Sequence, residues 1–107
     1  IMIVYRKSVE LVRGVHEHVE PYLRRKDREL AEQLHRAVRS VVLNIAEGRS
    51  QRGRRKGNHF AIALGSGREV HACLELAAVL GFIEPKRLRR WLALSDEVQA
   101  MLFVLAR

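Results

Sequence analysis

The sequence is poor in residues that staple, break or stack a chain. One cysteine, Cys73, in 107 residues rules out an internal disulfide framework and fits a reducing compartment. Only two prolines interrupt it, and its six aromatic residues (three Phe, two Tyr, one Trp) leave little material for base-stacking platforms. No apolar run approaches the length of a membrane span, and no signal-peptide pattern opens the chain. The expectation is therefore no membrane partner and a cytoplasmic location. Asn-Gly hairpin signals, strand-like alternation and internal repeats are also missing, which argues against a β fold or a repeat array.

What is present is apolar residues at helical spacing. They make up 48% of the chain, which excludes a disordered class. Four segments carry the pattern. The first places Val4, Ser8, Val12, Val15 and Val19 on one face and is expected to close at Pro21. The second starts near Asp27, a good N-cap, and runs to Glu47 along Leu30, Leu34, Val38, Val41 and Ile45. Gly48 falls where a C-terminal glycine belongs. The stretch Val41-Val42-Leu43 is apolar around more than half the helix, which predicts burial on two sides.

The third segment is expected to begin after Gly57 and end at Gly81. Gly65 and Gly67 each cost about 1 kcal/mol against alanine there, offset if another helix packs close. A break at Gly65-Ser66-Gly67 is the rival reading. The fourth segment begins at Pro85, suited to a first helical turn, and runs to the C-terminus. Short joints between long amphipathic helices predict an all-α fold, an up-down antiparallel four-helix bundle forming a single domain over residues 1–107.

Net charge is +8, and it is unevenly spread. Residues 1–48 hold nine basic and seven acidic residues, and residues 58–107 hold six and five. Residues 49–57 hold five basic and no acidic ones: Arg49, Arg52, Arg54, Arg55 and Lys56. Guanidinium groups bind phosphate in bidentate fashion and glycines let backbone amides approach, so this joint is the first nucleic-acid-binding candidate. The alternative is a merely solvated loop. A second cluster, Lys86, Arg87, Arg89 and Arg90, opposes the dipole of the helix that starts at Pro85, and tolerance at an exposed helix end explains it equally well. Arg28, His35, Arg36 and Arg39 form a third set, interleaved with Glu29 and Glu32 and expected to pair with them. With no aromatic residue inside these clusters in sequence, phosphate and shape recognition is favoured over base stacking.

Chemistry beyond binding finds little support. His16 and His18 point to different sides of a helix, as do His71 and Cys73, so no metal or other cofactor is expected. Arg54 and His59 spell Arg-x4-His, the pattern of the all-helical HEPN ribonucleases, but Gly57 is expected to break the helix that would present them. No catalytic residue is assigned, and the expectation is a non-enzymatic protein.

The pattern Gln33-Leu-His-Arg-Ala37, Ser40-Val-Val-Leu-Asn-Ile-Ala-Glu-Gly48 and Ala63-Leu-Gly-Ser66 with Glu69 resembles the four-helix-bundle proteins encoded in 23S rRNA intervening sequences. Relatives of that family include the accessory variability proteins of diversity-generating retroelements. The resemblance implies a bacterial cytoplasmic bundle assembled as a homopentamer, with nucleic acid and a reverse transcriptase as candidate partners. It also gives Asn44 and Glu47 the role of a structural polar pair tying the joint to a neighbouring helix. Two departures stand out: Arg24-Arg25-Lys26 replaces an acidic, glycine-containing turn, and His35 replaces a common arginine. Apolar excess at Met101–Ala106 and Val41–Leu43 independently predicts self-association. The reading is thus a basic, oligomeric nucleic-acid-binding protein, an accessory factor to a reverse transcriptase or ribonucleoprotein. The alternatives are a scaffold for an acidic protein partner and a HEPN-like ribonuclease.

Overall fold

The computed structural model describes residues 1–107 as five helices and no strand. They are α1 (Met2–His18), α2 (Glu20–Lys26), α3 (Arg28–Arg49), α4 (Arg54–Val79) and α5 (Pro85–Leu105). The expected first helix does not stop at Pro21. It breaks at Val19 and resumes as α2, with Pro21 in the first turn, where a missing N–H costs no helical hydrogen bond. The backbone carries across the break, since Val19 N–H donates to Val15 and Leu23 N–H to Val19.

Asp27 caps α3, its carboxylate accepting from the Leu30 N–H at 2.9 Å. At the other end, Gly48 is not the cap. α3 continues to Arg49, Ser50 closes it in ordinary right-handed geometry, and neither residue needs a positive φ. Gly48 is there for space, because a Cβ would lie 2.8 Å from the ring of buried Phe60. Gly14 plays the same part on α1, where a Cβ would collide with Trp91 of α5. α4 is continuous through Gly65-Ser66-Gly67. Gly67 faces Gln99 of α5 closely, whereas Gly65 faces open space.

Apart from α1 and α2, which continue in one sense, neighbouring helices run in opposite directions, as their paired side chains show. Ser40–Ser66 and Asn44–His59 link α3 to α4, and Lys7–Glu97 and Glu10–Arg90 link α1 to α5. His71–Ser95 links α4 to α5. One core of 25 buried apolar residues runs through the molecule, which is 43 Å along its longest axis. Val41 lies in that core, but Val42 is half-buried and Leu43 is 67% exposed, so burial of this stretch on two sides does not occur within one chain. Reversal at the α2–α3, α3–α4 and α4–α5 joints places residues 49–56 beside both chain termini. The 26–28 and 80–85 turns lie at the far end.

Candidate nucleic-acid interface

The joint between α3 and α4 is shorter than the sequence predicts. Arg49 is the last residue of α3, Arg52 lies in the turn, and Arg54, Arg55 and Lys56 form the first turn of α4. Gly57 lies inside α4 and does not precede it, because the turn is made four residues earlier by Gly53 at φ +60°. No side chain caps α4, so its first amide N–H groups point outward with the three cations around them. Cations at a helix N-terminus are disfavoured by the dipole, typically by 0.3–1 kcal/mol each, and an anion docked there removes the conflict.

None of Arg49, Arg52, Arg54, Arg55 and Lys56 forms an ion pair with a carboxylate. Arg49 stacks on Tyr5 with its guanidinium carbon 4.3 Å from the ring centre. Arg52, Arg54 and Arg55 are exposed and Lys56 half-buried. Beneath them a polar chain stitches α3 to α4. Asn44 Nδ2 donates to the Ser40 carbonyl and hydroxyl, the Ser40 hydroxyl meets Ser66 at 2.7 Å, and Asn44 Oδ1 lies 3.1 Å from His59 Nδ1. Glu47 takes no part in that chain. It is exposed, and its carboxylate accepts from Gln51 at 3.3 Å at the end of its own helix.

Lys86, Arg87, Arg89 and Arg90 lie at the opposite end and do not join the first set. All four are exposed. Lys86 faces Glu84 at 3.8 Å, and Arg90 pairs with Glu10 at 3.3 Å while leaning on Trp91. Arg87 stacks on Tyr22, 4.3 Å from its ring centre. The clusters thus do have aromatic partners: Trp91 directly follows Arg90, and Tyr5 and Tyr22 arrive from elsewhere in the chain, through contacts that sequence proximity does not show.

Of the third set, Arg28 and Arg36 form no ion pair, and the other two pair across helices and not along α3. His35 and Arg39 converge on Glu20 of α2, at 2.7 and 3.3 Å, with Arg24 at 3.8 Å. Glu20 is buried, so its charge is tolerated only because these partners surround it. Glu32 instead pairs with Arg24 at 2.6 Å, and that hydrogen bond and charge hold its carboxyl below the usual carboxylate range. Burial pushes the Cys73 thiol up to about 11, which makes it a core residue and not a nucleophile.

Two comparisons fit this geometry. A crystal structure of a protein of unknown function from the S23 ribosomal protein family of Bacteroides thetaiotaomicron superposes with a TM-score of 0.88 at 23% identity, covering 97% of this chain and 98% of that one. That likeness concerns the fold. No curated protein matches the sequence. Residues 2–104 match the family described as 23S rRNA-intervening sequence protein, nearly the full chain, and the protein belongs to that family.

Proposed function

We propose that this protein is a non-enzymatic nucleic-acid-binding protein that grips phosphate with the α3–α4 end. The observation that carries the reading is the unpaired state of the five cations, four of them clustered around an uncapped helix N-terminus. A structural charge cluster finds carboxylates, as Glu20 does for His35 and Arg39; this one leaves its donors free for an external polyanion.

Counting α1 and α2 as one kinked leg gives a four-helix up-down bundle, and the opposite sense of neighbouring helices supports that description. Self-assembly, with a homopentamer as the specific form, is supported by apolar surface the chain leaves uncovered. Ile62, Gly65, Ala72, Leu76 and Val79 are exposed along one stripe of α4, interrupted by the charged Glu69, and Leu43 is exposed on α3. Ile1, Ile3, Phe103 and Val104 form a second exposed set near the termini. Covering ~400 Å² of such surface per subunit contributes about 10 kcal/mol before association costs. A ring would multiply the basic ends and let weak contacts act together. Service to a reverse transcriptase or ribonucleoprotein as a cytoplasmic accessory factor rests on the resemblance to retroelement accessory proteins.

The ribonuclease reading loses one objection and gains another. Gly57 does not break α4, yet Arg54 and His59 sit five residues apart on it, about 140° around the helix. They diverge within a subunit, and His59 is tied to Asn44.

The test compares duplex and single-stranded oligonucleotide binding by fluorescence anisotropy for Arg52→Ala/Arg54→Ala/Arg55→Ala and for Lys86→Ala/Arg87→Ala/Arg89→Ala/Arg90→Ala. Loss in the first variant only is expected. Loss in the second only moves the interface to the far end, and no binding by the parent favours the acidic-partner scaffold.

A further inference from the structure

At the end remote from the basic joint, the turn between α2 and α3 and the turn between α4 and α5 enclose a pocket of about 360 Å³. Its wall combines Arg25, Lys26 and Arg87 with Tyr22, Phe82 and Glu84. These residues come from sequence positions some sixty apart, and only the fold brings them together.

Three features distinguish this pocket from a surface dimple. Its cations are unspent, since Arg25, Lys26 and Arg87 form no ion pair, and Glu84 is engaged by Lys86. Two of them are also held in place. The guanidinium carbon of Arg87 lies 4.3 Å and that of Arg25 5.3 Å from the Tyr22 ring centre. Stacking fixes a guanidinium plane while leaving its edge N–H groups free to donate, so an arriving anion meets donors already ordered. Finally, Phe82 gives the wall apolar surface beside that charge, the Tyr22 ring being taken up by the two guanidiniums. The volume lies at the lower end of the range for small-molecule sites, about 300–1,000 Å³.

We infer that this pocket binds a nucleoside monophosphate unit, either free or as the 5′-phosphorylated end of a nucleic-acid strand. The phosphate takes Arg25, Lys26 and Arg87, and the base lies against Phe82. A phosphate monoester carries nearly two negative charges near neutrality and three acceptor oxygens, matching three unpaired cations better than a single carboxylate does. Glu84 supplies an acceptor for a ribose hydroxyl or an exocyclic amine. The inference does not rest on the basic joint at the other end and stands or falls separately from it.

Isothermal titration at low ionic strength tests it with adenosine 5′-monophosphate, adenosine and inorganic phosphate, and with a short single-stranded RNA carrying a 5′-phosphate or a 5′-hydroxyl. The monophosphate should bind about tenfold or more tightly than either adenosine or phosphate alone. Arg25→Ala/Arg87→Ala should weaken it about tenfold or more, the loss expected for charge-assisted hydrogen bonds. Arg52→Ala/Arg54→Ala/Arg55→Ala should leave it unchanged, which separates this site from the proposed interface. A 5′-phosphate preference in the RNA beyond the affinity of the free nucleotide identifies the strand end as the source; equal affinity identifies the free nucleotide. Both arginines are exposed, so circular dichroism should show an unaltered fold in the variant. Amide shifts in the parent should centre on Tyr22 and Phe82. Absence of shifts at ~10 mM nucleotide, a range that detects even millimolar affinity, overturns the inference. So does phosphate binding as tightly as the nucleotide, or an unaffected Arg25→Ala/Arg87→Ala variant.

Discussion

Where α3 meets α4, Arg52, Arg54, Arg55 and Lys56 stand with neither a carboxylate nor a ring against them; at the far end, Arg87 and Arg25 lean on Tyr22, and Lys86 faces Glu84. Both ends are basic. Free, exposed cations around an uncapped helix make a broad positive field that suits a repeating phosphate backbone in any register. Cations stacked on a ring beside a pocket have lost that freedom, which suits one phosphate in one place. The same side-chain type is therefore left free at one end and held against a ring at the other.

Each end also has a glycine that admits a buried ring, and these offer the largest means of breaking the comparison. Gly14→Ala forces a methyl into Trp91 of α5, beside the stretch that leads to the Tyr22 end, and should destabilise by about 3 kcal/mol, the upper end of overpacking costs. Gly48→Ala presses on Phe60 beneath the basic joint and should cost ~2 kcal/mol while disturbing oligonucleotide binding more than Gly14→Ala does. Urea unfolding checks the first effect and anisotropy the second. Equal binding loss in both variants would erase the distinction between the ends.

Next in size is the buried carboxylate behind α2. Glu20→Gln removes the carboxylate that His35 and Arg39 share, while Arg24 keeps Glu32. The cost should be ~2 kcal/mol, below that of a wholly buried pair because these partners are about one-third exposed. Unfolding in urea should show it as a lower midpoint with unchanged slope.

Smaller effects report local environment. Glu32 titrates below the usual carboxylate range because of Arg24, so its contribution to stability is present above the ordinary carboxylate pKa and lost as pH falls through the lowered one. Arg24→Ala should return the Glu32 titration upward in a side-chain NMR experiment. Cys73, raised to about 11 by burial, should resist thiol reagents at pH ~8 and react once urea unfolds the chain.

How much of this the sequence announces depends on the range of the interaction. Asp27 as cap and Pro85 as helix start are local chemistry, and the structure places both as the pattern predicts. Gly48 misleads for the same reason: a glycine near a helix end reads as a cap, while its actual neighbour, Phe60, is recognised only after α4 folds back. The start of α4 is misplaced because two glycines, Gly53 and Gly57, offer the same break and only the first takes a positive φ. The aromatic partners of Arg49 and Arg87 are invisible along the chain because Tyr5 and Tyr22 sit on α1 and α2. Of the candidate site, composition reveals the basic joint; the division of the cations between two ends 43 Å of molecule apart at most follows from topology.

The central claim is that the α3–α4 end neutralises phosphate. Duplex binding by the parent protein, followed across monovalent salt, tests it most directly. With about five phosphates neutralised per subunit, log K should fall with log salt at a slope near −4 to −5. Removing Arg52, Arg54 and Arg55 should flatten that slope by about 2–3. Binding that ignores salt, or a slope left unchanged in the triple variant, would contradict the account.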